Sequence, residues 1–118
     1  MAEQLAELNK SQSTSYSTTE VMTGETWIDG KPIYRRTFYT TSKGSWVDTN
    51  VSGISRIISK SANFKTTNNQ LLTEYNVSQS DYATAGAYVS PSNAHLYVGV
   101  FMSGALVDAY ITIEYTKS

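Results

Sequence analysis

Few side chains in this sequence have the types and spacing that chemistry requires. The single histidine is His95, and there is no cysteine. A metal centre needs several converging ligands, so with no second imidazole and no thiol, His95 is expected to be a solvated or hydrogen-bonded ring at the start of a strand. Composition allows a Ser-His-Asp triad, since Ser and Asp are plentiful, but nothing marks a nucleophile elbow or another local catalytic signature. Sugar-cleaving enzymes need only two carboxylates. The strand-borne candidates here are Glu25, Asp108 and Glu114, and on the solvent face of a strand such groups solubilise. Arg35-Arg36 has the charge for an anion, but neighbours on a strand point to opposite faces and cannot form one fork. The seven glycines are scattered and build no phosphate-cradling loop. No residue is therefore assigned to catalysis, to a cofactor or to a metal, and a non-enzymatic domain is expected.

The elements that would position any site read as strands. The chain has 118 residues, the size of one domain that buries roughly two-thirds of its unfolded surface. Its formal charge of −1 supplies no basic field for nucleic acid or an anionic membrane. No apolar run is long enough for a membrane-spanning helix, so no membrane insertion is expected. Sixteen Ser, fifteen Thr and nine Tyr against three Phe favour half-buried pleated surfaces with a hydroxyl-rich exterior.

Residues 1–10, MAEQLAELNK, form the one helical pattern. Met1, Leu5 and Leu8 are spaced four then three, as in a heptad seam, and the seam stops after one heptad. They are the expected oligomer-seam residues, as the end of a coiled-coil stalk; a helix docked on its own domain or a frayed end are the other readings. Residues 11–19, SQSTSYSTT, are a Ser/Thr linker without periodicity. The head domain, 20–118, then alternates. A first strand over 20–28 meets Asp29-Gly30, where Gly supplies a positive φ, and returns from Pro32 through residue 41 with Tyr34 and Phe38 as its buried pair. Residues 42–53 read as turn and loop carrying Trp46. Strands are expected at 54–64, with Ile54 and Ile58 on one face, at 71–77, and at 82–89 with a bulge near Gly86. Leu96, Val98, Val100 and Met102 form one face of the next strand, and His95, Tyr97, Gly99 and Phe101 the other. Val107, Ala109, Ile111, Ile113 and Tyr115 alternate with polar partners in the last, nearly ten residues of strict period two. About seven strands joined by short turns imply an all-β antiparallel sandwich of jelly-roll type.

One stretch is more specific. YSTTEVMTGETWIDGKPIYRRTF, residues 16–38, with its Tyr-Ser start and its Gly-Glu-Thr-Trp-Ile-Asp-Gly-Lys-Pro-Ile-Tyr block, resembles a module of bacteriophage and prophage tail-fibre, baseplate and related virion fibre proteins. AYITIEYTK, 109–117, is similar to the end of those modules; together the two ends cover about a quarter of the chain, and the region between Lys43 and Ala94 follows no shared pattern. The resemblance implies a fibre head, a homotrimer exposed on the virion, that contacts a bacterial surface glycan. In that reading Trp27 and Tyr34 anchor the hairpin, and ligand contact falls to aromatic residues of the unmatched centre: Trp46, Tyr75, Tyr82 and Tyr88. Two other readings stand beside it: a structural trimerisation or capping module without a ligand, and a glycan depolymerase.

Overall fold

The computed structural model describes residues 16–118. The expected helix, its seam of Met1, Leu5 and Leu8, and linker residues 11–15 lie outside the described residues. Among the described residues the chain is all-β and every strand pairing is antiparallel. Nine strands follow one another: β1 Val21–Thr26, β2 Pro32–Thr40, β3 Trp46–Asp48, β4 Ile54–Thr66, β5 Leu71–Thr73, β6 Tyr75–Ser78, β7 Asp81–Val89, β8 Leu96–Met102 and β9 Leu106–Lys117. They form a five-stranded sheet, β1-β2-β9-β4-β5, and a four-stranded sheet, β3-β8-β7-β6. The sheets pack face to face, with β4 over β7 and β9 against β8.

The two strongest alternations make the core. On β8, Leu96, Val98, Val100 and Met102 are buried; on β9, Ala109, Ile111, Ile113 and Tyr115 are completely so. Phe64, Ala83 and Ala85 complete the buried cluster. Full burial of each Val or Ile contributes about 1.5–3 kcal/mol, so these two strands fix which face of each sheet looks inward. β9 runs between β2 and β4 with Phe38, Ile111 and Ala62 in one row and Thr37, Thr112 and Ser61 in the next. Tyr34 and Phe38 pack on the core as half-buried side chains, and Tyr34 stacks on Tyr115 with centroids 6.2 Å apart.

The opening hairpin closes as its sequence requires. The Gly30 N–H donates to the Trp27 carbonyl at 2.8 Å, and the Trp27 N–H to Lys31 O at 2.9 Å. Gly30 has φ +86, the left-handed value that glycine adopts without cost. Trp27 is half-buried beside this turn, while Ile28 at its tip is 90 % exposed. Residues 16–20 lie along β2 and β9. The Thr37 N–H donates to Ser17 O, Arg36 Nε to Thr18 O, and the buried Tyr115 hydroxyl to Glu20 Oε1 at 2.5 Å. Burial, and then the Glu20 carboxylate, push the Tyr115 hydroxyl well above the usual tyrosine range.

Five expectations need correction. Val107 is 39 % exposed and Leu106 packs on the core in its place, because the register of β9 with β4 shifts between Lys65 and Thr66. Trp46 is on a strand and not in a loop, because residues 46–48 pair with β8. Residues 71–77 are two strands in different sheets, parting at Glu74. There the ammonium of Lys60, which sits opposite Ile113 on the inner side of β4, bonds Glu74 Oε2 at 3.0 Å and the Ala85 carbonyl of the facing sheet, tying the crossover down. Bulges in β4 shift its alternation, so Ile57 rather than Ile58 joins Ile54 against the core. β7 carries no bulge at Gly86: its register with β8 is unbroken from Ala83 to Val89. The strand count among the described residues is therefore nine, two more than the alternation alone suggests.

Ile111 tests this register. Ile111→Ala should cost about 2–5 kcal/mol, and Ile111→Asp should leave no cooperative thermal transition by circular dichroism. A soluble Ile111→Asp protein that melts cooperatively near wild type contradicts the assignment.

Candidate functional site: an aromatic platform on the four-stranded sheet

Inward burial of Val98 and Val100 turns Tyr97, Gly99 and Phe101 to the outer face of the four-stranded sheet. The register then sets the rows of that face. Asp48 lies beside Tyr97, and Tyr97 beside Tyr88; Trp46 lies beside Gly99, and Gly99 beside Gly86; Phe101 lies beside Thr84. The row containing two glycines is the decisive one. With no side chains there, the Trp46 indole extends from edge strand β3 across β8 to β7. A Cβ built on Gly86 would stand 2.6 Å from Trp46 Cη2; one on Gly99 would stand 3.0 Å from Trp46 Cε3 and 2.8 Å from Phe101 Cε2. Real Cβ atoms essentially never stand under 3.0 Å from a ring carbon, so glycine at 86 is what lets the indole lie there, while a Cβ at 99 would be tight against the indole and would clash with Phe101.

Three further rings frame the indole. Tyr88 meets it edge-on, with centroids 4.8 Å apart and planes at 84°. Phe101 meets it at 5.1 Å and 61°. Tyr97 stacks on Tyr88 at 5.2 Å, nearly parallel at 8°. Such pairs add about 0.5–1.5 kcal/mol each beyond area burial. The cluster nevertheless stays open to solvent, with Trp46 44 % and Tyr88 38 % exposed.

Strand β3 has only three residues and is held from both ends. At one end the Gly44 N–H donates to Val100 O at 2.7 Å and the Lys43 ammonium to the Gly104 carbonyl. At the other, the Thr49 hydroxyl donates to Leu96 O at 2.7 Å. Polar groups border the rings on this side. His95 Nδ1 is 3.0 Å from both Asp48 carboxylate oxygens, the Asn50 N–H donates to Asp48 Oδ1 at 2.8 Å, and Asn93 Nδ2 donates to the Tyr97 hydroxyl at 3.0 Å. The His95 hydrogen bond, and then that from the Asn50 N–H, hold the Asp48 carboxyl below its ordinary range. A carboxylate lowered in the folded state contributes stability above its unfolded pKa and loses it as pH falls through the folded one, so the Asp48 contribution to this rim is lost in acid.

The four expected contact residues are not all brought together. Trp46 and Tyr88 touch within the platform. Tyr82 shares the outer face of β7, but lies beyond Thr84 toward the far end, opposite Asn76. Tyr75 is elsewhere: it pairs with Ala83, packs on the core, and donates its hydroxyl to Asp81 at 2.7 Å, which raises its pKa. Tyr97, Phe101, Asp48 and Asn93 were not among the expected contact residues, and His95, expected as a solvated or hydrogen-bonded ring, is bonded to Asp48. The available signal was a glycine inside each of two strands, flanked two residues away by aromatic rings. Arg35 and Glu114 pair with each other at 2.7 Å on the other sheet. Among the described residues no three His, Cys, Asp or Glu side chains converge as a metal site would require.

No protein-family model, curated protein or solved structure matches the chain. The platform has aromatic faces, hydroxyls, an amide and one carboxylate on one outer face of the four-stranded sheet, an arrangement suited to contact with rings that carry both C–H and O–H groups.

Gly86→Ala tests the glycine floor. The added methyl should displace Trp46 from the sheet, shift its fluorescence to the red in a Trp27→Phe background, and lower stability by about 1–3 kcal/mol, the usual cost of overpacking. Unchanged Trp46 emission contradicts the packing described.

Proposed function

We propose that this domain is the head of a bacteriophage virion fibre that attaches to a bacterial surface glycan, and that the glycan lies on the platform of Trp46, Tyr88, Tyr97 and Phe101. The observation that carries this reading is an indole spread over two glycines with solvent access to its ring system. A sugar ring presents C–H groups on its faces and hydroxyls at its rim. Aromatic faces take the first, and convergent polar groups fix the second. Asp48, Asn93 and the Tyr97 and Tyr88 hydroxyls supply that rim.

The resemblance to fibre modules supports the same division of labour. The matched ends, 16–38 and 109–117, belong to the strands β1, β2 and β9 of the five-stranded sheet, whereas Trp46 and Tyr88 belong to the unmatched centre. The proposal extends to a homotrimer on the virion, in which repeated weak sites gain avidity. It also treats the topology as a jelly-roll variant, supported by the chain's passage between sheets at β2–β3, β3–β4, β5–β6 and β8–β9.

One observation favours a second reading. The contacts of Trp46 with Gly86 and Gly99 also seal edge strand β3 onto its sheet, as a structural plug would. A capping module without a ligand would use the ring in that way.

The two readings separate on an array of bacterial capsules, O-antigens and wall teichoic acids probed with the purified chain. The glycan-binding reading expects saturable binding to at least one polymer, weakened tenfold or more, about 1.4 kcal/mol, by Tyr88→Ala and by Trp46→Ala in folded protein. Binding by either variant equal to wild type, or by wild type to no polymer, contradicts it.

A further inference from the structure

We infer a second ligand site on the opposite side of the molecule: a trough in the outer face of the five-stranded sheet that takes a neutral saccharide of one or two rings. It is independent of the platform, since it lies on other strands and uses other residues. The core alternation that buries Ala109, Ile111 and Ile113 turns Asp108, Tyr110, Thr112 and Glu114 outward. Register aligns these with β2 and β4 in three rows: Arg35–Glu114–Ser59, Thr37–Thr112–Ser61 and Tyr39–Tyr110–Asn63. Over the middle row lies a cavity of about 280 Å³ lined by Tyr16, Thr37, Ser61, Asn63, Tyr110 and Thr112.

Its chemistry selects the ligand. All six lining side chains are neutral, and all six carry a hydrogen-bonding group: five hydroxyls and one amide. Thr37 and Thr112 share a hydrogen bond of 2.9 Å on the floor, which still leaves acceptor lone pairs free. An apolar ligand would leave these hydroxyls without partners. No cationic side chain lines the cavity to receive an anion; the Arg35 guanidinium, in the neighbouring row, bonds Glu114 through Nε at 2.9 Å and Nη2 at 2.7 Å, and Lys65 stands beside Asp108 beyond the Tyr110 row. The walls are aromatic. Tyr110 leans on Tyr39 with centroids 4.9 Å apart, and Tyr16 is placed by the Arg35 guanidinium 5.1 Å from its ring centre. The Tyr39 hydroxyl reaches toward Asp108 at 3.5 Å. The volume is just below the ~300 Å³ at which ordinary small-ligand clefts begin, which limits the ligand to a short segment. A second copy of the chain suits this face less well, since stable interfaces have an apolar centre and this one has a polar floor.

The test is a titration of the ¹⁵N-labelled chain with cellobiose, maltose and N,N′-diacetylchitobiose, with digalacturonic acid as the charged comparison, followed by amide shifts. The inference expects saturable shifts at Thr37, Ser61, Asn63, Tyr110 and Thr112 with at least one neutral disaccharide. It expects millimolar affinity, falling at least tenfold in Tyr110→Ala and several-fold in Thr112→Val. Trp46→Ala should leave these shifts in place. Shifts confined to the Trp46 and Tyr88 face overturn the trough and leave the platform standing. Equal response to digalacturonic acid, shifts that follow protein concentration alone, or no response to any of the sugars also overturn it.

Discussion

The molecule depends on the alternation of one strand. β9 lies at the middle of its sheet with β2 on one side and β4 on the other, and every second side chain from Ala109 to Tyr115 is removed from solvent. A slip by one residue would expose Ile111 and Ile113 and bury Thr112 and Glu114, because side chains on a strand have a period of two. Burial of the inner set therefore determines the outer set. The same choice on β8 buries Val98 and Val100 and thereby presents Tyr97, Gly99 and Phe101. In both sheets the outward chemistry is a by-product of the inward packing.

The sheets use this constraint differently. In the five-stranded sheet the outer rows are filled by paired side chains: Arg35 with Glu114, Thr37 with Thr112, Tyr39 with Tyr110. Cross-strand pairs of this kind contribute about 0.2–1 kcal/mol each and leave a polar, hydroxylated surface. In the four-stranded sheet one row is emptied by Gly86 and Gly99, and an indole from the edge strand fills it. Glycine inside a strand weakens it, so the two glycines carry a local cost that the four-ring cluster offsets. Functional surfaces are where such local inconsistency is expected.

Much of this was legible in the residues themselves. The Asp29-Gly30 hairpin, the inner face of β8, that of β9 from Ala109 onward, and the all-β antiparallel class follow from period two and turn chemistry; Val107 does not follow, because a register shift against β4 turns Leu106 to the core instead. The short strand β3 was not legible: three residues bounded by Gly44-Ser45 and Thr49-Asn50 are too few to show a period, and their extended state comes from pairing with β8. The separation of β5 from β6 was hidden because residues 71–77 read as one extended run, and the Lys60–Glu74 contact that ties down the crossover is long-range. The bulges of β4 moved Ile58 off the core face for the same reason: they are set by its partner strand. At the site, Trp46 and Tyr88 stood out by type alone. Tyr75 looked equivalent until its pairing with Ala83 turned it inward, and Tyr97 and Phe101 became visible only once Gly99 was seen to lie under an indole.

Cysteine cross-linking tests the β9 register most directly, because the chain has no cysteine of its own. The Thr37 and Thr112 hydroxyls are 2.9 Å apart across β2 and β9, within the reach of a disulfide, whose Cβ atoms stand about 3.8 Å apart. Thr37→Cys combined with Thr112→Cys should oxidise to an intramolecular bridge in folded protein with its melting behaviour retained, while Thr37→Cys combined with Ile113→Cys should not. Bridging of the Thr37–Ile113 pair in preference to Thr37–Thr112 would place the strand one residue out of register and contradict both the core and the two outer faces described.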